Sequence, residues 1–417
     1  MKTVINSDRI VFLDNIRSLI IILVLIFHSG ASYGTGVEFW PFHDNNPSGV
    51  IDFFMFLCDV FFMAILFFIA GYFVPADLLK KGLPGFIKSK VNRLGFPWLI
   101  ITVLALPVLD YIHYLVNHIK QSLPTAGFVE YWLLCMKKVS DFYIGWMDMS
   151  AYHYMTNSFY QRYMWFISLL LFFFILFALG YTLKSRLTKQ NRQKSNTIDS
   201  RPDIVKIVSI TSILMVVLFG ITRLVIYPEF MGNGWFSLGN IIQFQFGKIV
   251  IYGCCFGLGI RAFCGKWFAS NNSIGKPWAW AIVCFCLFGL NMLALKNVGS
   301  SEEPALIAKI AFCVFYPLWT LSFLGLFVSF AYRYRNKPTK FNMSLANNSY
   351  NMYLVHYIIP FTFPLILSGI SMPTLVKFTI VSVVTLFFSY SFSVFIMKPI
   401  SKIIRKKLYN RGRANFA

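Results

Sequence analysis

Long apolar runs separated by short polar segments dominate the chain. Each run holds about twenty mostly apolar residues, which at ~1.5 Å per helical residue is enough to cross a bilayer. The pattern predicts an all-α, polytopic integral membrane protein. We expect about ten transmembrane helices, at roughly 10–30, 50–73, 93–116, 163–183, 204–226, 241–262, 277–295, 307–331, 349–369 and 374–397.

The polar segments between these runs alternate in charge. Segments 74–92 and 184–203 are rich in Lys and Arg, as is the chain after 397, whereas segments 31–49 and 227–240 contain neither residue. Because basic segments are retained on the cytoplasmic side, we expect both termini in the cytoplasm.

Two connecting segments differ from the others in composition. Residues 188–203 are uniformly polar and predict a flexible cytoplasmic loop. Residues 117–162 are rich in aromatic side chains and predict a long extracytoplasmic loop with short surface helices. No separate soluble domain or internal repeat is evident, so 1–417 is interpreted as a single transmembrane domain.

Composition excludes a soluble nucleic-acid-binding protein. The chain is 57% hydrophobic and only 13% charged, against about 25% charged residues in soluble domains. The net charge of +22 comes from Lys and Arg in the connecting segments, which is the pattern of membrane topology rather than of nucleic-acid binding. The eight Cys show no zinc-binding spacing, so we expect no metal site.

The first run carries polar residues inside an apolar span. Arg17 and His28 are eleven residues apart, which places them on nearly the same helix face and roughly 16 Å apart along the axis. Asp14 is three residues before Arg17, within reach of an ion pair. One interpretation is that Arg17 reaches the interface and His28 bonds a neighbouring helix. The other is a polar track with a cation at one end and a general base at the other.

Other polar groups lie in later spans. Asp59 lies deep in the second span and requires a partner, which Arg17 or Lys248 could supply. Arg223 lies near the end of the fifth span. Tyr350, Tyr353 and His356 fall on one face of the ninth span. Structural pairing explains each of these residues as well as a site-lining role does.

Five motifs in order resemble the membrane-bound acyltransferase 3 family. They are FLDNIRSLIIILVLIFH (12–28), FFMAILFFIAGYFVP (61–75), KSKVNRLGFPWL (88–99), YMWFISLLL (163–171) and NNSYNMYLVH (347–356). The DNIR and AGYF strings are most similar to the glucan-modifying, OpgC/MdoC-like subgroup. The chain departs from the family pattern at Ala70, Tyr163 and Met397, where Ser, His and Glu are usual.

The resemblance implies a multi-pass enzyme of the inner or plasma membrane. Its implied reaction moves an acyl group, acetyl or succinyl, from cytoplasmic acyl-CoA to a carbohydrate hydroxyl, without a tightly bound cofactor. By the resemblance, His28 is the catalytic base and Arg17 part of the acyl-CoA site.

The residues around these two positions extend the predicted site. Asp14 is assigned with His28 to catalysis, although a structural ion pair with Arg17 explains it equally well. Lys88, Lys90 and Arg93 are candidate cations for the CoA phosphates, although topology charges touching lipid headgroups explain them equally well. Asp59, Arg223, Tyr350, Tyr353 and His356 are candidates to line the site.

Two alternatives to an active enzyme remain at this point, a transporter or exporter and an inactive relative that only flips or presents a glycan. A transporter or exporter of a glycan or small solute would use Arg17, Asp59 and Lys248 as a polar path, but such proteins usually contain internal repeats. Within the enzyme interpretation, no Ser or Cys lies beside a base at a recognisable spacing, which favours direct transfer over an acyl-enzyme.

Overall fold

Helices make up most of the residues that the computed structural model describes, namely 10–35, 40, 42–147, 159–189, 204–226, 234–268, 275–299 and 305–403. The helices are α1 (Val11–Gly30), α2 (Gly49–Lys90), α3 (Phe96–Ile100), α4 (Leu106–Lys120), α5 (Phe128–Ser140), α6 (Trp165–Lys189), α7 (Ile204–Ile221), α8 (Phe246–Cys264), α9 (Pro277–Gly299), α10 (Leu306–Tyr334), α11 (Lys340–Val355), α12 (Ile358–Leu367) and α13 (Thr374–Phe392). Five-residue π-helical segments lie at Val91–Gly95, Ile101–Ala105, Thr222–Ile226 and Ser393–Met397, and a 3₁₀ turn at Arg162–Met164.

The helix lengths confirm an all-α, multi-pass membrane fold. Among the described residues, eight helical runs are long and apolar enough to span a bilayer, or nine if α11 and α12 count as one bent span. The second and third predicted spans both lie in one 68-residue helical run, Gly49–Val116, which at ~1.5 Å per residue is long enough for two bilayer crossings.

That long run replaces the expected loop at 74–92. Residues 76–81, ADLLKK, are mostly strong helix formers, so the helix continues past the apolar span that the hydropathy pattern delimits. The backbone leaves helical geometry at Gly82, where φ is +65°. Glycine adopts this angle without steric cost. The basic residues of the segment therefore lie on helical turns.

A small antiparallel sheet was not predicted. Its strands are β1 (Ile144–Trp146), β2 (Trp235–Leu238) and β3 (Ile242–Gln245), in the order β1-β2-β3. Gly239 and Asn240, both with positive φ, form the turn between β2 and β3. Because 242–245 is strand, the sixth span begins at Phe246 and not at 241 as expected.

The ninth predicted span, 349–369, is broken rather than continuous. α11 ends at Val355, His356 and Tyr357 form a turn, and α12 continues at an angle of 63°. Pro360 has no N–H to donate to the carbonyl of His356 four residues earlier, so the helical ladder stops there. His356 consequently lies at a bend and not on a regular helix face.

Of the two long loops, 188–203 lies outside the described residues apart from the end of α6. The segment 117–162 contains the end of α4, together with α5 and β1, while 148–158 lies outside the described residues. The helix α5 agrees with the short surface helices expected there.

The chain divides into two compact units, which are described separately. The terminal unit comprises Met1–Phe62 with Ala331–Ala417, and the central unit comprises Met63–Phe330. The prediction of a single domain stays a prediction.

In the terminal unit, α1 packs against α11 and α13. The side chain of Arg17 reaches the carbonyl of Ala346, and eleven residues later His28 reaches His356, so α1 and α11 run parallel. Ser29 donates to Thr385 on α13 over 3.2 Å. On α13, Lys377 pairs with Asp44 near one end and Tyr390 bonds Ser344 near the other, so α13 runs antiparallel to α11.

In the central unit, two glycines allow α2 and α8 to touch through their backbones. A methyl group on Gly71 would overlap the carbonyl oxygen of Phe256, and one on Gly259 would overlap the carbonyl oxygen of Phe68. The buried side chain of Gln161 connects further elements, accepting from Trp98 and donating to the carbonyl of Asn240. The Gly71 position in the AGYF string therefore has a packing role.

We expect Gly71→Ala and Gly259→Ala to destabilise the protein by at least about 1–3 kcal/mol, the usual cost of overpacking a core. The matched control is Gly289→Ala on α9, where an added methyl group meets nothing within 4 Å. The measurement is the temperature at which detergent-purified protein loses half its monodisperse peak. Equal transition temperatures for Gly71→Ala and Gly289→Ala would contradict the close packing of α2 on α8.

Candidate active site

His28 lies in the last turn of α1 and faces other elements of the terminal unit. Its Nδ1 is 2.9 Å from the carbonyl oxygen of Val24 and 3.2 Å from Nε2 of His356. The edge of Tyr357 packs against its ring, with 5.5 Å between ring centroids. The half-buried imidazole is therefore held by polar and aromatic contacts inside this unit.

The bond to Val24 decides where neutral His28 carries its proton. A carbonyl oxygen only accepts hydrogen bonds, so Nδ1 must donate to it. Neutral imidazole has one N–H, which leaves the lone pair on Nε2. His28 therefore presents Nε2 as the nitrogen that can take a proton from another molecule.

Trp40 packs over the same ring. Its ring stacks on His28 at 6.2 Å between centroids and contacts Tyr357 at 5.1 Å and Phe361 at 5.8 Å. The indole N–H donates to Ser32 Oγ over 2.8 Å. These rings exclude water from one side of the imidazole. The sequence analysis did not identify Trp40, whose only signal is that it is an aromatic residue in the segment between the first two spans.

The segment that carries Trp40 is fastened to α13 by a buried ion pair. Lys377 Nζ is 2.7 Å from the carboxylate of Asp44, and the two side chains are 8% and 5% exposed. Asp44 N–H also donates to the carbonyl of Ser32. Burial and the nearby carboxylate of Asp44 raise the pKa of the Tyr33 phenol above its usual value. Asp44 is therefore held between Lys377 on α13 and the backbone of Ser32.

Arg17 lies toward the other end of α1. Its guanidinium is 2.8 Å from the carboxylate of Asp14 and 3.3 Å from the carbonyl oxygen of Ala346. The predicted Asp14–Arg17 pair is thus present, and the Arg17 side chain stays 32% exposed. No sequence pattern could have identified Ala346, because it contributes a backbone atom.

Arg17 and His28 both contact the α11 segment, which agrees with their predicted common face. We call this contact the α1–α11 seam, defined by Arg17 with Ala346 at one end and His28 with His356 at the other. Asp14 is fourteen residues from His28, or roughly 21 Å along the helix, and the structure pairs it with Arg17. Its chemical environment is therefore that of Arg17 and not of the imidazole.

Two of the remaining predicted residues in the terminal unit lie close to His28. His356 contacts the His28 ring directly, and Tyr353 contacts His356. His356 is fully buried, and its Nδ1 is 2.6 Å from the carbonyl oxygen of Tyr353. Tyr350 is half-buried on α11, and Asp59 is half-buried on α2. A role for these two side chains in the site stays a prediction.

Four predicted residues lie in the central unit. Lys90 is paired with Asp77 at 2.8 Å and lies over the ring of Phe174 at 4.3 Å. Lys88 and Arg93 are exposed. Arg223 is buried in a π-helical segment and lies over Phe219 at 5.6 Å. Lys90 thus has structural partners already, whereas Lys88 keeps its charge at the surface.

Within the described ranges, no group of three or more His, Cys, Asp or Glu side chains is arranged to hold a metal ion.

The fold and the seam describe a multi-pass membrane protein with an arginine and a histidine on one helix, both in contact with the same neighbouring segment. A family model described as an acyltransferase domain, Acyl_transf_3, matches residues 10–394. The chain belongs to the acyltransferase 3 family, and it is a membrane acyltransferase rather than a transporter.

Curated relatives agree with the expected glucan-modifying subgroup. The chain is 24% identical over 358 residues to "Glucans biosynthesis protein C" of Shigella dysenteriae serotype 1 (strain Sd197), covering 84% of this chain and 82% of the relative. The protein of the same name from Escherichia coli O1:K1 / APEC gives the same identity and coverage. That of Salmonella heidelberg (strain SL476) is 26% identical over 262 residues, or 62% of this chain and 59% of the relative. No solved structure matches the chain.

We expect Lys377→Met to lower the free energy of unfolding by about 3–5 kcal/mol, because it leaves the buried carboxylate of Asp44 without its cation. Adding Asp44→Asn should recover part of the loss, since the double variant removes both charges. The control is Lys337→Met, which removes an exposed lysine. Thermal unfolding in detergent measures the effect. Equal stability of the Lys377 and Lys337 variants would contradict the anchoring of this segment.

Proposed function

We propose that this protein transfers an acyl group, acetyl or succinyl, from acyl-CoA to a hydroxyl of a glucan or another cell-envelope carbohydrate. Family membership supports the acyl transfer, and the names of the curated relatives support a glucan acceptor. The observation that carries the proposed mechanism is the hydrogen bond from His28 Nδ1 to the carbonyl of Val24, since it leaves the lone pair on Nε2.

In the proposed reaction, His28 acts as general base on the acceptor. A carbohydrate hydroxyl is a poor nucleophile, and a positioned base increases the reaction rate by ~10²–10⁴-fold. The proton of the hydroxyl moves to Nε2 of His28 while the hydroxyl oxygen bonds to the thioester carbonyl carbon. The carbon–sulfur bond then breaks, and the CoA thiolate takes the proton back from the imidazolium. No acyl-enzyme forms, and no cofactor beyond the co-substrate is required.

Cations at the Arg17 end of the seam would meet the phosphates of the donor. The partly exposed guanidinium of Arg17 is held in place by Asp14. Asn15 bonds the carbonyl of Arg335, which brings a basic exposed segment to the same end of α1; its cations are Arg333, Arg335, Lys337 and Lys340. In the central unit, Lys88 and Arg93 remain candidates for the same task.

With both termini in the cytoplasm, Arg17 would lie toward the cytoplasmic side and His28 toward the outer side of an inner or plasma membrane. A cytoplasmic donor and an extracytoplasmic carbohydrate would then approach the α1–α11 seam from opposite ends. Acyl transfer would take place within the thickness of the membrane.

We expect His28→Ala to lower acyl transfer by at least about 10²-fold, because the acceptor hydroxyl loses its base. The assay follows transfer from radiolabelled acetyl-CoA or succinyl-CoA to the envelope glucan of a host that lacks this protein. The control is His43→Ala, which removes an exposed histidine. If His28→Ala reaches a normal membrane yield and keeps wild-type activity, the mechanism is contradicted. If the wild-type protein releases no acceptor-dependent thiol with either donor, the proposed reaction itself is contradicted.

We expect the double variant Asp14→Asn/Arg17→Gln to raise KM for acyl-CoA about tenfold with little change in kcat. The double variant removes the cation that binds the donor and leaves no unpaired carboxylate. A tenfold change in KM corresponds to the loss of about one charge-assisted hydrogen bond. Lys296→Gln, at an exposed position on α9, is the control. An unchanged KM with a reduced kcat would contradict a donor-binding role for Arg17.

A further inference from the structure

We infer that His356 is a positioning residue, which accepts a hydrogen bond from His28 Nδ1 and so fixes the orientation of the His28 imidazole during acyl transfer. This inference rests on the proposed function, in which Nε2 of His28 takes the proton of the acceptor hydroxyl. It assigns to His356 a role through another side chain and no contact with substrate.

The proton on His356 is located by the backbone. Nδ1 of His356 lies 2.6 Å from the carbonyl oxygen of Tyr353, which can only accept. Nδ1 therefore carries the N–H of the neutral ring, and Nε2 carries a lone pair. That lone pair lies 3.2 Å from Nδ1 of His28, which also carries an N–H. Donor and acceptor are thus complementary across the α1–α11 seam.

The N–H of His28 is shared between two acceptors. One is the carbonyl of Val24 on its own helix at 2.9 Å, and the other is His356 at the end of the neighbouring helix at 3.2 Å. A single acceptor on α1 would allow the ring to pivot. A second acceptor on a different element restrains the ring plane, and with it the direction in which Nε2 points.

The position of His356 suits a fixed acceptor. It is fully buried at the bend between α11 and α12. Among the ring contacts of His28 within the described residues, His356 and Tyr357 are the titratable groups. The residues next to His28 on α1 contact the neighbouring helices: Ser29 bonds Thr385 on α13, and Phe27 packs against Phe62 on α2. None of these four side chains titrates near neutral pH. A neutral His356 is therefore the acceptor that this environment provides.

The same bond supports the reaction step. When His28 takes the acceptor proton on Nε2, the ring becomes a cation and its Nδ1–H becomes a stronger donor. The lone pair of His356 then accepts a charge-assisted hydrogen bond. No proton needs to pass to His356, and the imidazolium returns its proton through Nε2 to the thiolate of CoA.

The test compares two amides at position 356. In His356→Gln, the amide oxygen can occupy the place of Nε2 and accept from His28. In His356→Asn, the shorter side chain can replace Nδ1 and donate to Tyr353 but cannot reach His28. Both changes are polar and similar in size, so the comparison isolates the acceptor. Each variant is purified in detergent and checked for a monodisperse peak and for wild-type thermal stability.

We expect His356→Asn to lower kcat about 10- to 100-fold, the rate equivalent of one hydrogen bond to a charged group, with KM for acyl-CoA unchanged. His356→Gln should restore most of the lost kcat. Equal kcat in the two variants, whether both active or both impaired, would overturn the positioning role. Activity of His28→Ala tells the two failures apart, because an active His28→Ala overturns the proposed function itself.

Discussion

A polar side chain inside an apolar helix has to find its partners within the protein, and this requirement organises the terminal unit. On α1, Arg17 is satisfied by Asp14 and a carbonyl of α11, and His28 by Val24 and His356. Ser29 bonds Thr385 on α13. The bonds to Ala346, His356 and Thr385 connect α1 to α11, to the bend after it and to α13, so the packing of the unit and the placement of these polar groups have one cause.

Hydropathy correctly predicts the elements whose ends coincide with a change from apolar to polar residues along the chain. The departures occur where another property decides. Residues 76–81 stay helical because their intrinsic propensity outweighs their charge, and helical geometry is interrupted at Gly82, which takes a positive φ. Pro360 breaks the ninth span although the residues on either side of it are apolar. The hairpin around Gly239 and Asn240 is too short to alter a twenty-residue hydropathy average.

The candidate site was predictable to the level of helix faces. Spacing alone places Arg17 and His28 on one face of α1, and both indeed contact the α11 segment. The ring-nitrogen geometry of His28 and His356 depends on where α11 bends, which spacing does not encode. The stacking of Trp40 on His28 and the ion pair of Asp44 with Lys377, two residues 333 positions apart, are tertiary contacts that spacing along one helix does not predict. A backbone acceptor such as the carbonyl of Ala346 cannot be predicted from the sequence, because every residue type carries the same carbonyl group.

The central claim is that neutral His28 carries its proton on Nδ1, bonded toward His356, and presents Nε2 as the base. The most direct measurement is ¹⁵N NMR of the ring nitrogens in histidine-labelled protein, which has only six histidines. His28→Gln and His356→Gln assign the two rings by loss of their signals. The account predicts a protonated Nδ1 and an unprotonated Nε2 for His28, with a coupling across the hydrogen bond to Nε2 of His356. A His28 ring protonated on Nε2 instead would contradict it.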